Sequence, residues 1–294
     1  MGAGEFSGKF AKTVDSFARQ SFDPTNLNRL AEDAFLWIVG IMAAFLAVHF
    51  VLFALSGLKG AHSEEGMSLG NAQFKRRSTA KIVYHWVNFA AIASLLVTGL
   101  LIFYGDPDTA GLFEWHLWGA WIFLGALAFH IWNDTIRFKH FHRMLFTGQD
   151  LSDAMARILP GGGGGEQKHP FYKVEQIAYH WILAAVVLGL VITGFTLWEP
   201  ARIYVGAFWM PWGWEGVFFA RVLHQIFTFL LLAMIVAHIY FAVAVPKNWY
   251  VLKSIFTGLV PLSTYVKQHR GSPEFEAQVK DLEAGQEKSA PAGE

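Results

Sequence analysis

The sequence predicts an all-α membrane protein, a four-helix transmembrane bundle preceded by one extra N-terminal transmembrane helix. Three observations carry that reading. Of the 294 residues, 54% are hydrophobic and 16% charged, with a mean hydropathy of +0.34, a balance that favours a membrane chain. The apolar residues gather into five blocks, 34–55, 82–104, 112–133, 174–197 and 217–245, each near or above the roughly 20 residues a spanning helix needs. The blocks are continuously apolar and do not alternate, so helices and not barrel strands are expected to span.

In chain order, a tail at 1–33 leads into the extra helix at 34–56. That block is too long for a signal-peptide core and lacks a small-residue cleavage site, so it is expected to stay in the mature chain. A loop at 57–81 follows, then the four-helix domain at 82–258 and a tail at 259–294. Orientation follows the basic residues. Lys59, Lys75, Arg76, Arg77 and Lys81 precede the second helix, and Arg137, Lys139, Arg143, Arg157, Lys168 and Lys173 join the third to the fourth. The opposite loops carry only Arg202. This predicts a multi-pass protein of the bacterial inner membrane with its N-terminus outside and its C-terminus cytoplasmic. Lys9, Lys12, Arg19 and Arg29 on the outer side run against the bias.

Zero formal net charge and the absence of a long basic run exclude nucleic acid as a partner and leave membrane lipid as the surrounding phase. The chain has no cysteine, which removes covalent haem attachment, thiolate-held iron–sulfur clusters and disulfides. Any metal must sit on histidine or oxygen.

An internal repeat organises the last four helices, with copies at 82–148 and 174–258. Tyr84-His85-Trp86 opens the second helix and Thr98-Gly99 closes it; Tyr179-His180-Trp181 and Thr193-Gly194 do the same in the fourth. The third and fifth helices share Phe129-His130-Ile131-Trp132 and Ala237-His238-Ile239-Tyr240, each followed by Phe-Thr-Gly at 146–148 and 256–258. The copies are expected to differ mainly in their outer loops.

Histidines stand fourteen apart in the third and fifth helices, His116 with His130 and His224 with His238. Fourteen helical residues rise roughly 21 Å and return to within about 40° of the starting direction, so each pair lines one face at two depths. The inner level then holds His85, His130, His180 and His238, and the outer level holds Gly99, His116, Gly194 and His224. A bis-histidine haem needs two imidazoles on opposite sides of its iron and small residues where the macrocycle presses on neighbouring helices. His116 and His224, with Gly99 and Gly194 for room, meet that need at the outer level. At the inner level four histidines compete. A lone membrane histidine is otherwise a buried hydrogen-bonding group or proton relay, the reading adopted for His49.

These residues resemble the integral-membrane di-haem cytochrome b subunits of formate dehydrogenases (gamma subunits) and nickel–iron hydrogenases. The resemblance covers residues 81–258 and rests on the His-Trp openings, their Thr-Gly pairs and the paired histidines of the last helix. It implies an inner haem b held by His85 and His238, and an outer haem b held by His116 and His224. It further implies electron transfer between an iron–sulfur subunit with its catalytic dehydrogenase or reductase and a quinone bound beside the inner haem. The chain departs from the family pattern at His130 and His180, where no haem ligand is expected, and in its extra helix. Near the quinone the family often carries Asn and Gln, and the matching positions here are Lys173 and Gln176.

If the repeat is structural, the operation that relates His85 to His238 relates His180 to His130, and a third haem enters consideration. Crowding at one depth of a four-helix bundle opposes it. Arg221, one turn before His224, suits a haem propionate or an interfacial anchor. The tryptophans at 115, 118, 121, 209, 212 and 214 read as an aromatic belt. The glycine run at 161–165 is a linker and not a phosphate loop, and the tail from Ser272 reads as disordered in isolation. The expected function is that of an electron-transfer anchor subunit of an oxidoreductase complex, not catalytic alone except in quinone reduction. Two alternatives are a cytochrome b of a quinol-oxidising bc complex, pairing His116 with His224 and His130 with His238, and a histidine-relay proton-coupled transporter.

Overall fold

The computed structural model describes residues 24–57, 73–104, 111–137, 140–148, 174–205, 213–262 and 264–265, with single positions at 152, 172 and 280. Among them are seven helices: α1 (Pro24–Gly57), α2 (Thr79–Tyr104), α3 (Leu112–His130), α4 (Val174–Leu197), α5 (Glu199–Val205), α6 (Gly213–Val243) and α7 (Trp249–Thr257). Five of these are long and apolar enough to cross a membrane, over Arg29–Val51, Thr79–Tyr104, Leu112–Ile136, Val174–Leu197 and Gly216–Val243. The five expected blocks are therefore helices, and the protein is an all-α membrane protein. Large apolar side chains are exposed along them, among them Trp37, Trp115 and Trp118, as befits surfaces that face hydrocarbon and not water. Trp209 and Trp212, the glycine run at 161–165 and, but for Lys280, the tail from Ser272 onward lie outside the described residues.

The chain divides into two compact units, Met1–His62 with Trp181–Ile239 and Ser63–His180 with Tyr240–Glu294. In the first, α1 packs on α6. The Phe35 and Phe229 rings lie 4.8 Å apart, and Ala31 and Val222 are buried with Ile226 against them. Gly189 of α4 lets α6 come close, since a Cβ there would stand 2.5 Å from the Phe227 ring. The end of α4 is closed by Arg202 of α5, which donates from its guanidinium to the carbonyls of Thr196 and Leu197, both at 3.0 Å. Those carbonyls belong to the last turn, where a cation also meets the negative end of the helix dipole.

In the second unit, α2 and α3 pack along one another. Gly119 makes the approach, facing Leu95 and Ser94 of α2, as small residues do where membrane helices meet. The Ser78 hydroxyl caps α2 by accepting from Lys81 N–H at 3.4 Å. Helix α3 passes into a π-helix, Ile131–Arg137, and then a 3-10 turn, His140–Met144.

A small antiparallel sheet completes this unit. β1 (Gln73–Lys75) pairs with β2 (Leu259–Pro261), with Phe74 opposite Val260. Phe74, Val260, Leu262 and Tyr265 are buried together. The connection is clamped by backbone bonds from Arg76 and Arg77 N–H to Gly258 O at 2.9 and 3.0 Å. Gly258 has a φ of 77° and closes α7 in the left-handed conformation glycine permits. Trp86 of α2 donates to Ile255 O of α7 at 3.1 Å, and Arg77 donates to Ser254 Oγ at 3.2 Å. Burial, with Arg76 beside it, pulls the Arg77 guanidinium below its ordinary pKa. Burial pushes the Tyr250 phenol up, which Arg76 partly offsets.

The two sequence copies diverge here. Phe-Thr-Gly of the second copy ends α7 and enters β2, whereas that of the first follows the 3-10 turn. The intervening Pro246 explains the difference, because it breaks the helix after α6 and lets α7 start afresh.

Candidate functional site

The outer-level residues form the same small assembly in each unit. In the second unit, His116 Nδ1 of α3 meets Thr98 Oγ1 of α2 at 2.9 Å. That hydroxyl is also 2.7 Å from the Ser94 carbonyl, one turn back in its own helix. A threonine hydroxyl has one hydrogen. Donated to Ser94, it leaves Oγ1 to accept from His116 Nδ1–H, and the tautomer this assigns carries its lone pair on Nε2. In the first unit, His224 Nδ1 of α6 meets Thr193 Oγ1 of α4 at 2.9 Å, and the same hydroxyl donates to Gly189 O at 2.7 Å. Both threonines are buried, with Thr193 only 1% exposed. A neutral imidazole with its Nδ1–H engaged and its lone pair on Nε2 is the form in which histidine binds a metal.

A Cβ on Gly99 would stand 3.4 Å from His116 Cε1, and one on Gly194 3.5 Å from His224 Cε1. The nearest protein group to each glycine is thus the imidazole ring. Each Thr-Gly pair cradles one histidine, the threonine fixing its tautomer and the glycine giving the ring room. The threonine role escaped the sequence reading, although the repeated Thr-Gly motif was its visible signal.

At the inner level the second unit gathers a polar group around His130, the last residue of α3. Its Nδ1 lies 2.9 Å from Asp134 Oδ2, one turn on in the π-helix. The other carboxylate oxygen pairs with Lys81 Nζ at 2.9 Å and accepts from Asn133 Nδ2 at 3.3 Å. The Tyr84 ring stacks on His130 with centroids 4.9 Å apart. The His180 ring lies 6.3 Å away at an interplanar angle of 67°. Asp134 and Lys81 are site residues that the sequence reading passed over, though Asp134 stands four residues from His130, the spacing that brings helical side chains together.

His85, in the same unit, is half-buried and meets the Trp86 ring edge to face at 5.4 Å. His238, in the first unit, is exposed, as are Arg221 and Gln176. Lys173 lies outside the described residues. His49 is half-buried beside Phe45, with ring centroids 6.3 Å apart. Among the described residues no group of three or more His, Cys, Asp or Glu side chains could hold a metal ion.

A family model described as prokaryotic cytochrome b561 matches residues 76–258. The chain belongs to the prokaryotic cytochrome b561 family. A search of curated proteins found no match. The family binds b-type haem and its members are membrane electron-transfer proteins, which accords with five apolar helices and with histidines as the metal-binding groups. The matched span opens at β1's clamp to Gly258 and takes in every one of the six core histidines. This cytochrome b is therefore a multi-pass membrane protein.

Proposed function

We propose that this cytochrome b561 family member is the membrane-anchor subunit of a respiratory oxidoreductase, carrying electrons between an iron–sulfur or catalytic partner and the quinone pool. His116 and His224 serve as the outer haem ligands, and His85 and His238 as the inner ones. The observation that carries the reading is the twofold Thr–His assembly, which holds each outer histidine in the tautomer that carries its lone pair on Nε2. Bound haem supplies a one-electron couple. The chain supplies the axial imidazoles, holds them in one tautomer and surrounds them with apolar helix.

The likeness to formate dehydrogenase gamma and hydrogenase cytochrome b subunits supports a partner holding the iron–sulfur clusters that a cysteine-free chain cannot bind. Quinone is placed near the inner level, with Lys173 and Gln176 as its candidate contacts and Arg221 as a candidate propionate partner at the outer level. The basic loops favour an outside N-terminus and a cytoplasmic C-terminus in the inner membrane.

The test is visible spectroscopy of the purified chain. His116→Ala and His224→Ala should each abolish the same low-spin b-type component, and His85→Ala should abolish a different one. A pure, folded chain with no Soret band refutes the cytochrome reading. Retention of every haem in His85→Ala transfers the assignment to the bc-type pairing.

A further inference from the structure

We infer that His130 and His180 form a bis-imidazole site for a further b-type haem, an inference that rests on the cytochrome reading above. Both rings belong to the second unit, and their centroids are 6.3 Å apart. Two metal–imidazole bonds of about 2 Å, with half a ring on each side, come to about 6 Å. Two imidazoles joined directly by an N–H···N bond of about 3 Å would bring the centroids about 1 Å closer than the observed gap. With Nε2 facing Nε2, the separation fits one atom between them.

The identity of that atom follows from the ligand count. With no third His, Cys, Asp or Glu completing a metal-binding group among the described residues, a bare ion would have two protein ligands, fewer than the four of a structural zinc or the three of a catalytic one. A haem iron brings four nitrogens of its own and asks the protein only for the two axial positions.

His130 is also prepared as a ligand. Its Nδ1–H is engaged by the Asp134 carboxylate at 2.9 Å, and Asp134 is anchored by Lys81 at 2.9 Å. One ring face is covered by Tyr84. This puts the lone pair of His130 on Nε2, as the threonines do for His116 and His224. A carboxylate behind a ligating imidazole fixes its orientation and raises its basicity. The π-helix from Ile131 to Arg137 carries Asp134 and the nearly fully buried Asn133, and such departures from α-geometry gather at functional sites. The repeat supplies an independent reason. His180 opens its helix as His85 does, and His130 stands where His238 stands in the other copy, so a fold that pairs one couple has the means to pair the other.

The experiment counts haem per mole of the purified full chain by pyridine haemochrome absorbance against amino-acid analysis. The expected wild-type ratio is three, falling to two in His130→Ala and in His180→Ala. A wild-type ratio of two, with one haem lost on His116→Ala and one on His85→Ala, overturns this site and leaves the two-haem reading standing. A ratio of zero overturns both. A wild-type ratio of three that His180→Ala does not lower overturns the ligand assignment. Asp134→Asn should keep the count and raise one of three midpoint potentials in a redox titration, because the ligand loses its carboxylate. Three unshifted potentials would remove Asp134 from the site.

Discussion

Replacing Thr193 with valine isolates one hydrogen bond at the outer level. Valine keeps the branched shape but cannot accept from His224 Nδ1–H, now bonded at 2.9 Å. The Gly189 carbonyl also loses the threonine hydroxyl, yet it retains the backbone bond that every interior helix carbonyl receives from four residues on. The cost therefore falls on the imidazole. A buried donor left unsatisfied costs about 1–3 kcal/mol, or roughly 5- to 150-fold in affinity at about 1.4 kcal/mol per decade. That range brackets the roughly 10- to 100-fold loss usual for removing the partner of a metal-binding histidine. The assay is the rate of haem transfer from the detergent-purified chain to excess apomyoglobin, read with the midpoint potential of the outer haem. The valine variant should release that haem faster and at a higher potential, since a less basic ligand stabilises the ferric state less. Thr193→Ser, which restores the acceptor, should recover most of both. Equal release and equal potential in Thr193→Val and wild type would refute the idea that the hydroxyl sets the histidine.

Two further substitutions test the packing. Gly189→Ala places a methyl 2.5–2.8 Å from the Phe227 ring and should destabilise the protein by about 1–3 kcal/mol; an unchanged thermal midpoint would show that α4 and α6 do not meet there. Gly258→Ala forces a side chain into a φ of 77° with its Cβ 2.7 Å from the Arg77 carbonyl oxygen. It should cost roughly 1–2 kcal/mol from the backbone alone and more from the contact, and it should speed limited proteolysis near β2, where an unaltered digestion rate would contradict the clamp.

The helices were legible because a membrane imposes length and continuous apolarity on every span, and blocks such as 174–197 coincide with the observed helix. The outer histidines were legible from a spacing that one helix turns into a common face. What they touch was not. His116 reaches Thr98 on a neighbouring helix, and no periodicity within α3 encodes that contact. For the same reason the closeness of Gly99 to the His116 ring is not written in either helix alone. Asp134 could have been noticed from its spacing to His130, but its second partner, Lys81, comes from the start of α2. The β1–β2 sheet left no readable trace, since three residues are too few to show alternation and their partners stand at opposite ends of the family span.

That sheet also sets an order of events in biosynthesis. At ordinary translation rates the ribosome makes β2 roughly ten to forty seconds after β1, with α2, α3, α4 and α6 made in between. Through that interval Phe74 has neither Val260 nor Tyr265 to cover it. The closing strand thus works as a completion mark. A chain stopped just short of Leu259 would contain all five membrane helices and still display an uncovered aromatic residue, a sign by which quality-control proteases could tell it from the finished protein.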